Sequence, residues 1–146
     1  MKNRSMTSGG PAPRGDVRAQ LRLLGSSPSL VDAPAALLRH LVGVGHVVRV
    51  PPRWTMLAEQ TAPDKAYVLL KGEVEVRRRG TQLGYCSPGE ILGELGILQR
   101  RLRSATVVAA TDVMALHLDS DEFQRLHAED PYFRALVREA ALRKTA

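Results

Sequence analysis

At 146 residues, with 44% hydrophobic and 25% charged side chains, the chain has the composition of one globular domain large enough to bury a core, which excludes a fibrous or wholly disordered protein. Its formal charge of +6 favours anionic partners in a general way, but only four of the 21 basic residues are lysines (Lys2, Lys65, Lys71, Lys144), a bias that nucleotide composition also produces. Cys86 is the single cysteine, so an internal disulfide and a multi-cysteine metal site are excluded and a reducing compartment is the natural one.

The opening MKNRSMTSGGPAPRGD lacks periodicity and is rich in Gly, Pro and Ser, which predicts a flexible tail over residues 1–16 and a single domain over residues 17–146. Neither a secretory leader nor an apolar run long enough to cross a bilayer is visible, so a cytosolic protein without membrane insertion is expected. VRAQLRLL, from Val17, suits one or two amphipathic turns before GSSPS breaks the pattern. DAPAALLRHLVG, with Asp32 as N-cap and leucines at 37, 38 and 41, predicts a short helix.

The period then changes. GHVVRV, AYVLLKGEVEVRR, TQLGYC, SATVVAA and DVMALHL are short alternating or β-branched runs separated by turn residues, the pattern of an antiparallel sandwich, barrel or jelly roll. Gly72 marks a sharp turn or bulge, and Arg79-Gly80 a hairpin tip with Arg77, Arg78 and Arg79 solvated around it. At the end of the chain, Asp119 and Glu122 fit a capping box ahead of EFQRLHAED, and Pro131 opens a further helix with Phe133, Leu136, Val137 and Ala140 on one face. The expected fold is mainly β: an eight-stranded antiparallel jelly-roll-like barrel with a short N-terminal helix and two C-terminal helices.

One stretch does not fit a strand. GEILGELGILQRRLRSATV, Gly89 to Val107, is an irregular excursion between two of them, with Gly93-Glu94-Leu95-Gly96 able to start a helical turn. Free amides at such a start and a guanidinium at Arg103 suit phosphate oxygens, with the Ser104 hydroxyl and the Ala105 amide as further donors. A carboxylate cannot face that phosphate, so Glu94 is assigned to a sugar hydroxyl. A phosphate and a ribose in one short loop imply a compact nucleotide. The plainer alternative is an ion pair between Glu94 and Arg103 that supports the turn.

This stretch resembles the phosphate-binding cassette of the cyclic nucleotide-binding domain family, whose pattern is Gly-Glu-(Leu/Ile), a short helical turn, then Arg-(Ser/Thr/Ala)-Ala. Here it reads Gly93-Glu94-Leu95 and Arg103-Ser104-Ala105, with Glu94 and Arg103 nine positions apart. AYVLLKGEVEV is similar to the family's strand pair around a glycine, and DSDEFQRLHAEDPYFRALVREAAL to its two C-terminal helices. The resemblance spans about residues 28 to 143. It implies that Arg103 pairs with the cyclic phosphate, that Glu94 holds the ribose 2′-hydroxyl, and that amides near Leu95 and Ala105 complete the cradle. Ser104 stands where a hydroxyl also reaches a guanine, although similar bacterial sensors of cyclic AMP carry serine there. Two places depart from the family pattern: Gln99-Arg100-Arg101-Leu102 lacks the usual glycine or proline before the arginine, and Pro51-Pro52-Arg53-Trp54 replaces Pro-x-Gly-(Glu/Asp).

The resemblance implies a receptor for cAMP, ahead of cGMP, with no further cofactor. Its output would run to an effector protein in trans, or to a homodimer through the C-terminal helix, whose apolar face reads equally as core. Transcriptional members continue into a helix-turn-helix for which these 146 residues leave no room, so direct DNA binding is not expected. A ligand-free interaction or scaffold subunit is the alternative function. Arg100 and Arg101 read as a solvated loop, Trp54 as packing and Cys86 as a small buried apolar residue. His40, His46, His117 and His127 are scattered without a His-x-His pair, and no serine, histidine and acid form a nucleophile arrangement, so neither metal binding nor catalysis is predicted.

Overall fold

A computed structural model describes residues 16–145. The tail predicted over residues 1–16 lies outside them except for Asp16, which belongs to the fold: its Oδ1 accepts from the Ala19 amide at 2.9 Å and caps helix α1, Val17–Gly25. Helix α2, Ala35–Val44, follows. Asp32 does not cap it. Pro34 holds the cap position at φ −58° without a side-chain hydrogen bond, since the fixed proline ring already pre-sets the entry to the helix.

Eight strands come next: β1 His46–Val50, β2 Thr55–Leu57, β3 Lys65–Lys71, β4 Val74–Arg78, β5 Thr81–Cys86, β6 Ile91–Leu92, β7 Thr106–Ala109 and β8 Val113–Asp119. Helix α3, Glu94–Gln99, interrupts them after β6, and α4, Ser120–Glu129, and α5, Pro131–Thr145, close the chain. The strands form two antiparallel four-stranded sheets, ordered β1-β8-β3-β6 and β2-β7-β4-β5. The strand count is the expected eight, divided between two packed sheets; no ladder joins them into a closed barrel among the described residues. The two shortest strands, β2 and β6, carry too few residues for alternation to show in the sequence.

Strand β3 explains the architecture. Residues 65–70 are all buried, because both faces of this strand are covered. Tyr67 and Leu69 face the space between the sheets with Val48, Val50, Met56, Leu92 and Ala115, while Ala66, Val68 and Leu70 face a second core shared with the helices. That helical core holds Leu24, Leu37, Leu41, Phe123 and Phe133, the two phenylalanine rings meeting edge-on at 5.4 Å between centroids. Either ring is fully buried, so truncation to alanine costs about 3–5 kcal/mol. Phe133, Val137 and Ala140 of α5 belong to this core, which is what their shared face requires.

Two capping expectations are revised. Asp119 does occupy the N-cap of α4, but its carboxylate makes no capping bond; the Ser120 amide donates instead to the Asp64 carbonyl at 2.9 Å, and Asp119 Oδ1 lies 3.8 Å from His117 Nδ1. Glu122 pairs with Arg125 at 3.0 Å. A cap that the sequence reading missed is Asp130, whose Oδ1 accepts from the Phe133 amide at 2.8 Å and seats α5. The hairpin tip is as expected: Arg79 and Gly80 have φ of 52° and 80°, the paired positive values that a two-residue turn between twisted strands demands.

Candidate functional site

The β6–α3 corner is built on Gly93. Its φ is +88°, in the left-handed region, and a β-carbon there would stand 2.7 Å from Arg103 Nη1 and 3.1 Å from Leu57 Cδ1. A glycine therefore does two things at this point: it turns the chain into α3 and leaves room for the guanidinium. Glu94 begins the helix and is 1% exposed.

Arg103 is 5% exposed and held at both ends. Its amide donates to the Thr61 carbonyl at 3.0 Å, and its carbonyl accepts from the Gln60 amide at 2.9 Å. At the far end Nη2 donates to the Lys65 carbonyl at 2.7 Å and lies 3.4 Å from Asp64 Oδ1. Nη1 is buried without a hydrogen-bond partner. Burial weakens the guanidinium's hold on its proton and the Asp64 carboxylate restores part of it, so the group remains a cation at neutral pH with one nitrogen uncommitted.

All six residues singled out in the sequence, Gly93, Glu94, Leu95, Arg103, Ser104 and Ala105, line one cavity of about 470 Å³. The size is that of a small-molecule site. Val76, Leu83, Tyr85, Cys86, Leu92 and Val107 add apolar lining to it, Leu83 and Tyr85 being about half exposed. Cys86 is buried, as read, but in this lining. Trp54 packs against the inter-sheet core. Arg100, exposed and left-handed at φ 52°, ends α3 beside the exposed Arg101.

The structure adds residues that the sequence reading missed. Arg78 is no mere solvated turn residue: it lines the cavity, and its Nε donates to the Ser104 carbonyl at 2.9 Å. The signal was present in the strand, since Val74 and Val76 face inward and Arg78 is next on that face. Asp64 and Lys65 reach Arg103 across 39 and 38 positions, for which no local pattern exists. His46 and His117, distant in sequence, are cross-strand partners with ring centroids 6.4 Å apart. No group of three metal-ligating side chains occurs among the described residues. Among the same residues no helix is long and apolar enough to cross a membrane.

A two-sheet fold with a cavity of small-molecule size, lined by a buried arginine and by apolar side chains, has the form of a small-molecule-binding domain. Residues 47–130 match the family model described as the cyclic nucleotide-binding domain. The chain is 35% identical over 86 residues to the cGMP-dependent protein kinase egl-4 of Caenorhabditis briggsae, a match covering 59% of this chain and 12% of the kinase. It is 30% identical over 132 residues to the cyclic nucleotide-gated potassium channel mll3241 of Mesorhizobium japonicum, covering 90% of this chain and 36% of the channel. The regulatory domain of Toxoplasma gondii PKA, solved with cAMP, superposes with a TM-score of 0.71 at 17% identity, covering 86% of this chain and 49% of that one, a likeness of fold. The chain belongs to the cyclic nucleotide-binding domain family. It spans about a third or less of the length of the two curated relatives.

Proposed function

We propose that the chain is a cytosolic receptor for a cyclic nucleotide, cAMP ahead of cGMP, and that it regulates a protein partner rather than catalysing a reaction. The observation that carries this reading is the state of Arg103: a buried guanidinium with Nη1 uncommitted, on the wall of the cavity that Glu94, Ser104 and Ala105 also line. Arg103 takes the phosphate, Glu94 the ribose 2′-hydroxyl, and the backbone at Gly93, Leu95 and Ala105 the remaining phosphate oxygens, while Leu83 and Tyr85 border the base. The ligand tightens the corner between α3 and β7, and α4 and α5 respond, because α3 packs against both. The effect on the equilibrium equals the ligand's preference for one state over the other. The output passes to an effector protein in trans or to a second copy through α5.

Calorimetric titration of cAMP and cGMP into the purified protein and into Arg103→Ala tests the proposal. A charge-assisted contact to phosphate is worth about 1.5–3 kcal/mol, so the variant should bind roughly ten- to a hundredfold more weakly. The absence of heat and of thermal stabilisation with either nucleotide overturns it. It would leave the second reading, a ligand-free interaction subunit. That reading is favoured by one feature, the partners Lys65 and Asp64 that Arg103 already has.

A further inference from the structure

A second cavity, of about 490 Å³, shares Arg103 and Leu57 with the nucleotide cavity. It opens between β2, the loop that follows it, and the first residue of β3; Met56, Leu57 and Ala62 are part of its wall, together with Asp64, Lys65 and Arg103. Lys65 is the unusual member. It is 5% exposed, with no close hydrogen bond or ion pair at its ammonium among the described residues, although the carboxylates of Asp64 and Asp119 both favour its charge. Its side chain shares the inter-sheet face of β3 with Tyr67, opposite Asp119 of β8. Asp64 and Asp119 offset only part of its desolvation, and a chain that only needed to fill this place would do better with leucine or methionine.

The charges around Lys65 describe what such a partner must be. Arg103 adds positive potential from one side, while Asp64, with a side chain 65% exposed, stands near the mouth and engages Arg103 at 3.4 Å. Asp64 and Asp119 both oppose an anion, which disfavours a dianion such as phosphate and leaves room for a single negative charge. The rest of the wall combines Met56, Leu57, Ala58 and Ala62 with Thr55, Thr61 and Thr106, more apolar than polar and suited to a hydrocarbon body rather than to a hydrated ion. Burial lowers the proton affinity of Lys65, and an anion beside it would raise that affinity again.

We infer that this cavity is a second binding site, for an organic monocarboxylate with an aliphatic chain, its carboxylate on the Lys65 ammonium and its chain along Met56, Leu57 and Ala62. The site is separate from the nucleotide cavity, but Arg103 and Leu57 belong to both walls. A carboxylate in this cavity draws on the same Arg103 charge as a phosphate in the other, so the two ligands weaken one another, and by the same factor in each direction.

The test is titration of sodium octanoate into the full chain, with inorganic phosphate in parallel. Saturable octanoate binding is expected, at least about tenfold weaker in Lys65→Met, the loss of a charge-assisted contact. Ala62→Phe, which fills the cavity from its exposed rim and leaves the lysine intact, should abolish it and serves if Lys65→Met does not fold. Glu94→Gln should leave octanoate binding unchanged, so failure of the nucleotide reading and failure of this one are read separately. Should wild type bind a nucleotide, saturation with octanoate should weaken it about fivefold, and the nucleotide should weaken octanoate equally. No octanoate binding by the folded wild type, binding indifferent to both Lys65→Met and Ala62→Phe, or binding of phosphate in place of octanoate overturns the inference.

Discussion

Gly93 and Arg103 occupy one another's space: a β-carbon on the glycine would stand 2.7 Å from Nη1 of the arginine. The pair is separated by ten positions of chain and by helix α3, and it brings the two ends of the motif into contact. Gly93→Ala should therefore separate folding from binding. The backbone cost is that of a left-handed alanine, about 1–2 kcal/mol. The guanidinium is the end of a long side chain and can shift where backbone cannot, although the Lys65 carbonyl at 3.2 Å and the bond it accepts from Arg103 add to that cost. Displacement of the guanidinium moves the phosphate donor, and nucleotide affinity should fall by more than about tenfold. Urea denaturation and calorimetry on the same preparation check both halves.

Gly72 supplies the contrast. It also has a positive φ, +89°, but its β-carbon would stand 2.2 Å from the carbonyl oxygen of Asp112 and 3.0 Å from the Val113 Cα. Backbone cannot swing aside as an arginine does. Gly72→Ala should cost about 3 kcal/mol or more, through strain plus a forced shift of the β7–β8 connection. The measurement is the urea midpoint, and a loss no larger than that of Gly93→Ala would contradict the argument from which atoms can move.

These two glycines mark how far the sequence could be read. Short apolar and β-branched runs in HVVRV, AYVLLK and VMALHL placed β1, β3 and β8, because such a pattern survives in strands of five to seven residues. It did not place β2 or β6, which have three and two residues. Gly93, Glu94, Leu95, Arg103, Ser104 and Ala105 were legible as one group because the motif is local, and the structure brings all six to one cavity. Asp64, Lys65 and Tyr67 were not, since their relation to Arg103 runs through β3 from a distant part of the chain. Capping was read least well: Asp32 and Asp119 carry the right side chain in the right neighbourhood, but Pro34 and the Asp64 carbonyl had already met the need.

Tyr67 raises a question of stability rather than of ligand. The residue is fully buried, and its hydroxyl has no hydrogen-bond partner. Burial pushes its pKa up to about 12, against the pull of the Arg103 charge. The ring packs edge-on to His117 at 5.3 Å, a contact that phenylalanine would keep. Removing an unsatisfied buried hydroxyl relieves its desolvation, so Tyr67→Phe should leave stability unchanged or raise it by up to about 1 kcal/mol. Chemical denaturation decides the sign, and a loss above about 1 kcal/mol would show that the hydroxyl is bonded in solution.

His117 sets a pH dependence whose sign follows from its surroundings. It faces the inter-sheet space between His46 and Tyr67, and burial lowers its pKa from 6.5, with Lys65 and His46 adding to the fall and Asp119 and Asp64 opposing it. Asp119 is 3.8 Å from Nδ1 but 71% exposed, so its help is screened by solvent. Between the lowered folded value and 6.5 the unfolded chain binds the proton that the folded chain refuses. Stability therefore rises with pH across that window, is complete above 6.5, and is lost as pH falls through it. Urea midpoints taken from about pH 5 to about pH 7.5 should climb for the wild type and climb less steeply for His117→Gln, which cannot take up the proton. Equal slopes for the two proteins would mean that other groups carry the dependence and that His117 titrates alike in the folded and unfolded chain.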